Sequence, residues 1–290
     1  MSIASSQPLE TRRLPPFYGP DDRYVPPTDD GVALPDPLPG HMELPDENDE
    51  IVENFRETPQ NSLLDQAIWP TLERLHPDRH FAIGHDCGIY WKLTKPLEKG
   101  AVCPDWFYVP GVPPDLDGHY RRSYVLWKEH VKPAVLIEYS SEDGTKERDR
   151  TPFEGKFWIY ERAIQGAYYA IFVVETGELE VHKLLRGKYR RLAPNQRGHF
   201  QIEPLGVNLG VWRGLFYNET APWLRWYDDD GNLLPLSDER AELAWRIAEQ
   251  ERRNAHVQQQ RAEQLEAKLR ELGIDPATVG RDSTLDSDQS

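Results

Sequence analysis

Asp105 and Glu138 are the residues whose placement first suggests chemistry, because each is a single carboxylate set in a short, otherwise apolar, strand-like run. The runs are Cys103-Pro104-Asp105-Trp106-Phe107 and Val135-Leu136-Ile137-Glu138-Tyr139-Ser140. A charge among apolar neighbours needs a partner, since desolvating it alone is costly. A hard divalent cation such as Mg²⁺ or Mn²⁺, held by oxygen ligands, is one partner that fits. With both side chains, a main-chain carbonyl near Tyr139 and several waters around it, such an ion would lower the pKa of a bound water and ready it to attack a phosphodiester. A helix-like segment carrying Lys156 follows and could add a cation. The position two after Glu138, where sites of this kind often carry lysine, is Ser140. Spacing alone favours a plainer reading, in which Asp105 is a turn residue after proline and Glu138 pairs with a nearby Lys or Arg.

The elements needed to position these side chains can be read from periodicity. Thr58-Pro59 opens a helical pattern of Leu63, Leu64, Ala67, Ile68, Leu72 and Leu75, with a stop near His76-Pro77 and a kink expected at Pro70. Short β-rich runs follow at 80–83, 88–93, 101–109 and 134–139. The spacing of Phe153, Phe157, Tyr160, Ala163 and Ile164 predicts a helix over 153–164, and 167–174 reads as a strand. Gly177-Glu178 and Gly187-Lys188 signal hairpins. Runs at 207–215 and 224–227 read as peripheral strands or hairpins. The order of elements predicts an α/β fold with a mixed sheet.

Four stretches differ in composition. Residues 1–50 are rich in Pro and Asp and should be mostly disordered or extended, with Phe17, Tyr18 and Tyr24 able to pack on the domain. Residues 51–236 form the expected folded domain. From 237 to 272 there is no proline, and Ala241, Ala244, Ala248, Ala255, Ala262, Leu265, Leu269 and Leu272 share a heptad seam, so a long helix is expected that could self-pair as a thin coiled coil. Residues 273–290 should be disordered.

With 34 Lys and Arg against 49 Asp and Glu, the net charge of -15 repels a nucleic-acid backbone at long range, so any contact with one must be local. Two cysteines, Cys87 and Cys103, make no disulfide framework and suit a reducing cytoplasm. The first residues lack a signal-peptide pattern, and no apolar run reaches the roughly 20 residues that span a bilayer.

The segments Pro104-Asp-Trp-Phe-Tyr-Val109, Pro133-Ala-Val-Leu-Ile-Glu-Tyr-Ser-Ser141, Lys156-Phe-Trp-Ile-Tyr-Glu-Arg-Ala163 and Ala167-Tyr-Tyr-Ala-Ile171 together resemble the putative restriction endonuclease (Uma-two type) family of the PD-(D/E)XK nuclease superfamily. The likeness is closest over 104–172 and looser over 57–185. It implies a restriction-endonuclease-like core, a mixed central sheet flanked by helices, to which the long C-terminal helix or coiled coil is added. It implies a metal-dependent endonuclease using Mg²⁺ or Mn²⁺ on DNA, ahead of RNA, with a site made of Asp105, Glu138 and a lysine moved to the following helix. That lysine maps onto Lys156, four residues before Tyr160. A long stem can deliver the ammonium to the same phosphate from a different backbone position. The loop 141–152 departs from the family's usual short basic connection. A first-helix acid, Glu57 or Asp65, is a further candidate ligand.

The resemblance turns the balance toward a nuclease site. The rival is a catalytically silent nuclease fold that serves as a homo-oligomeric binding or assembly module. Other signals are read as structural. His76, Asp78, His80, His85 and Asp86 form a solvated loop rather than a zinc site. Asp228, Asp230 and Asn232 form a hairpin turn rather than a calcium loop, because the sixth position is Leu233 instead of glycine. Lys146, Arg148 and Arg150 alternate with acids and read as a solvated loop. The basic run 183–191 reads as a charged hairpin edge, while Arg121, Arg122, Lys128 and Lys132 leave a nucleic-acid contact open.

Overall fold

The computed structural model describes residues 23–29, 33–40, 43–44 and 55–276. Phe17, Tyr18 and most of the expected C-terminal disorder lie outside them. The chain divides into two compact units, Met1–Leu234 and Pro235–Ser290.

The first unit opens with helix α1 (Glu57–Leu75), whose Leu63, Leu64, Ala67, Ile68 and Leu72 are buried. Strands β1 (Phe81–Gly84), β2 (Ile89–Tyr90), β3 (Ala101–Val102), β4 (Trp106–Pro110) and β5 (Tyr124–Val125) follow. A short helix α2 (Leu126–Glu129) leads to β6 (Val135–Ser140), and helix α3 (Lys156–Trp158) continues as a π-helical segment (Ile159–Ile164). Then come β7 (Tyr168–Val173), β8 (Glu178–Leu185), β9 (Lys188–Arg191), β10 (Phe200–Ile202), β11 (Val207–Phe216) and β12 (Glu219–Tyr227). The main sheet has six strands in the order β1-β4-β6-β7-β8-β9, parallel only at β6-β7, where α3 makes the crossover. Two small sheets, β3-β2-β5 and β10-β11-β12, complete the unit. The architecture is a mixed α/β, restriction-endonuclease-like fold.

Strand alternation decides which residues meet which layer. On the face toward α1, the Tyr139 hydroxyl donates to Asn61 Oδ1 at 2.7 Å and the Trp106 indole donates to Asp65 Oδ1 at 2.9 Å. On the opposite face Phe107, Leu136, Phe157, Tyr160, Tyr169 and Ile171 share one buried cluster. Helix α1 is also fastened to β12: Gln60 donates to Leu224 O at 3.0 Å and accepts from Leu224 N at 2.8 Å, and the Trp226 indole donates to Leu64 O. Gly84 is required by close approach, because a Cβ there would lie 2.2 Å from the Phe107 ring across the β1-β4 ladder.

Four sequence expectations need correction. The run 101–109 is two strands in two different sheets, because Pro104 offers no ladder N–H and the chain bends at Asp105. Asp105 therefore sits immediately before β4 rather than within a strand. Phe153 lies outside the helix at a positive φ of 67°, and the helix starts at Lys156. The runs after 207 form a hairpin, as one of the two expectations has it, but it is not peripheral, since Trp223, Leu224, Arg225 and Trp226 are buried. Pro222 hid the true length of β12, which tolerates it as an edge strand. The arm's described residues are extended but buried at key points: Tyr24 and Leu44 join the core, Leu93 N donates to Pro27 O, and the Trp127 indole donates to Pro39 O. Single aromatic and aliphatic anchors, with backbone bonds to the domain, hold what composition alone marks as unable to fold.

The second unit carries helix α4 (Ser237–Glu271), none of whose residues is buried. It opens with a capping interaction in which Glu239 accepts from Leu236 N at 2.7 Å. Among the described residues no helix is long and apolar enough to cross a membrane.

Candidate active site

The register of the central ladder brings the first two sequence candidates together. Trp106 pairs with Ile137 and Phe107 with Leu136, so one step further along the antiparallel pair sets Asp105 opposite Glu138. At this step the ladder is replaced by a side chain: Asp105 Oδ2 accepts the peptide N–H of Tyr139. The third candidate arrives from the crossover. Lys156 Nζ lies 2.7 Å from Glu138 Oε2, and the Tyr160 hydroxyl, one turn along the same helical segment, donates to Glu138 Oε1. Glu138 is 1 % exposed, and both its oxygens are engaged.

Local backbone contacts fix where Lys156 emerges. The carbonyl of Asp149 accepts from Phe157 N at 3.0 Å, capping the start of the helix, and a Cβ on Gly155 would lie 2.4 Å from that same carbonyl. The loop that departs from the family's usual connection is thus a cap for α3. Ser140, standing where a strand lysine would, uses its Oγ to accept Gly144 N at 3.0 Å and so starts this loop. The loop's cations serve structure: Arg148 pairs with Glu180 at 2.6 Å and the Arg150 guanidinium lies 3.7 Å from the Phe157 ring centroid. Glu147, in the same loop, acts electrostatically on Glu138 and Lys156 and keeps a buried Oε2 with no hydrogen-bond partner among the described residues.

Burial, then the charge of Glu138, pushes the Asp105 carboxyl well above the ordinary carboxylate range, against the Tyr139 N–H bond and Lys156. Burial also raises Glu138, with Lys156 opposing it. Burial works against the Lys156 ammonium, but Glu138 outweighs it and the net shift is upward. Lys156 is therefore a fixed positive charge.

A second cluster was only half legible in the sequence. One carboxylate oxygen from each of Glu57, Asp86 and Asp105 can be chosen so that all three lie within 4.8 Å of one another. Glu57 is the first residue of α1, where the helix N-terminus favours a negative charge. Asp86 lies in the β1-β2 connection, exposed and at a positive φ of 49°, with its N–H donating to Pro104 O at 3.1 Å. Sequence reasoning assigned Asp86 to a solvated loop; its one available signal was a Gly84-His-Asp turn directly after a strand. Of the two first-helix candidates, Glu57 joins this group. Asp65 is engaged by His85 and Trp106 instead.

The donor set fits a hard divalent cation: all three are carboxylates, each able to offer an oxygen to one ion. Of the ligand set expected from the sequence, Asp105, Glu138 and the Tyr139 carbonyl, only Asp105 belongs to this group, because the Glu138 oxygens face Lys156 and Tyr160. The other basic clusters stay apart from it. Arg121 is held by Glu129 at 2.7 Å, Lys183 by Glu203 at 2.6 Å, and Lys188, Arg190 and Arg191 line the exposed edge strand β9.

A search of curated proteins finds no match to this chain. The family model described as "Uma2: Putative restriction endonuclease" matches residues 31–216, from the arm through the end of β11, and so covers every residue of both clusters. With well over half its length matched, the chain belongs to the Uma2 family of restriction-endonuclease-like proteins.

Proposed function

We propose that this protein is a metal-dependent endonuclease that hydrolyses phosphodiester bonds of DNA, with RNA a poorer substrate. The observation that carries the reading is the meeting, at one end of the β4-β6 ladder, of a buried Glu138–Lys156 pair with an all-carboxylate corner built on Asp105. A divalent cation, Mg²⁺ or Mn²⁺, supplies Lewis-acid chemistry and an acidified water when bound. Asp105 would hold it with Glu57 and Asp86, and Glu138 and the Tyr139 carbonyl are the ligands that the family resemblance adds. Lys156 offers a permanent positive charge to a phosphate oxygen as charge develops there. Tyr160 holds Glu138 in place while Lys156 engages the substrate. The scattered, undisulfided Cys87 and Cys103 suit a cytoplasmic setting.

Supercoiled plasmid incubated with the protein and Mg²⁺ or Mn²⁺ should be nicked, and Asp105→Ala, Glu138→Ala and Lys156→Ala should each abolish nicking. Nicking that survives Glu138→Ala would place the activity elsewhere.

A second reading, a silent nuclease fold acting as an oligomeric module, draws on α4. This helix exposes Leu243, Trp245, Ile247, Val257 and Leu265, and the net charge of -15 opposes a free-standing DNA cutter. Light scattering of the full chain beside one ending at Leu236 tests it: an unchanged mass removes the helix from any assembly.

A further inference from the structure

We propose that Asp65 is the positioning residue for the acidic corner, a carboxylate that aligns the ligands without being one. The inference rests on the reading that Glu57, Asp86 and Asp105 take a divalent cation. These three residues come from three separate segments, the start of α1, the β1-β2 connection and the bend before β4. Nothing local to any one segment sets their mutual distances, so tertiary bonds must.

Asp65 makes bonds of that kind to two of the segments at once. Its Oδ1 accepts the indole N–H of Trp106 at 2.9 Å, and Trp106 directly follows Asp105. The same carboxylate meets His85 Nε2 at 3.1 Å through Oδ2 and at 3.2 Å through Oδ1, and His85 directly precedes Asp86. Asp65 itself rides on α1, the helix that begins with Glu57. One side chain therefore ties together the helix bearing the first ligand and the immediate neighbours of the other two. The backbone bond from Asp86 N to Pro104 O closes the same loop from the opposite side. Both Asp65 oxygens face these ring nitrogens, and Asp65 is not among the three carboxylates that lie within 4.8 Å of one another. Carboxylates that orient ligands in this way typically change metal affinity by about 10–100-fold when removed.

Calorimetric titration of the full chain with Mn²⁺ tests this, run on the wild type, Asp65→Asn and His85→Gln, with the melting temperature of each measured without metal. Asp65→Asn keeps an acceptor for Trp106 but loses the charge facing His85. His85→Gln alters a partly exposed side chain and guards against a folding failure in the first variant. The expected result is Mn²⁺ affinity about tenfold or more weaker in Asp65→Asn and a smaller loss in His85→Gln, with melting temperatures close to the wild type. Unchanged affinity in both variants, or a lowered melting temperature with unchanged affinity, overturns the proposal and leaves Asp65 a structural residue. A wild type that takes up no Mn²⁺ removes the cation reading itself, and the role of Asp65 falls with it.

Discussion

Two corners of one site, facing each other across the end of the β4-β6 pair, handle buried charge differently. At the α3 corner Glu138 is matched: Lys156 takes one oxygen, Tyr160 the other, and the group is complete as it stands. At the α1 corner Asp105 accepts one peptide N–H and lies close to Glu57 and Asp86, and burial and the charge of Glu138 raise its carboxyl pKa, as burial raises that of Glu138. Removing one partner of the matched pair leaves a buried charge uncompensated, whereas the clustered carboxylates leave room for a cation to compensate them. On the proposed reading, the first corner supplies positioning and transition-state charge and the second captures the cation.

The largest effect should come from unbalancing the matched corner. Lys156→Met strands a carboxylate that is 1 % exposed, and removing one partner of a buried pair costs about 3–5 kcal/mol. The lysine side chain is 37 % exposed, so the low end of that range, about 3 kcal/mol, is expected from urea unfolding. A loss below about 0.5 kcal/mol, the scale of a surface pair, would show that the pair does not neutralise Glu138.

Next in size is the geometry that aims the lysine. Gly155→Ala forces a Cβ against the Asp149 carbonyl, and overpacking of this kind costs about 1–3 kcal/mol. The helix start should shift with it, so nicking should fall further than stability does. Equal stability and activity in Gly155→Ala would mean that the Asp149 cap is not what places Lys156.

How much of this was legible in the sequence follows the same division. Glu138 and Lys156 could be connected in advance only through the family resemblance, which expects a lysine four residues before Tyr160; the residues alone predicted no more than a Lys or Arg partner for Glu138, and that partner is Lys156. Asp105 was legible as an acid and, from the proline before it, as a turn residue; what the sequence did not show is that its carboxylate takes a ladder acceptor's place on Tyr139 N–H. Asp86 had only a turn after a strand as its signal: its place depends on a tertiary bond to Pro104 and on the Asp65–His85 contact, between residues 20 apart in the chain. Glu57 and Asp65 looked alike as helix acids, and only the packing of α1 on Trp106 separates ligand candidate from positioning candidate. The six-stranded order could not be derived either, because β3 and β4 run on in sequence yet enter different sheets.

The smallest effect in free energy is the most informative about the second corner. The raised Asp105 pKa means that the folded chain holds this proton more tightly than the unfolded chain does. The associated stability is full below the ordinary value of 3.8 and is lost as pH rises through the raised one. Asp105→Asn should remove that loss and, without metal, melt higher than the wild type at neutral pH, with a flatter pH dependence above 3.8.

The melting temperature of wild type and Asp105→Asn, each measured at pH 7 with and without millimolar Mg²⁺, sets the two corners against each other directly. The wild type should start lower and rise with Mg²⁺, while Asp105→Asn should start higher and not respond. A wild type indifferent to Mg²⁺, or a variant that responds as strongly, would contradict a cation-binding corner built on Asp105.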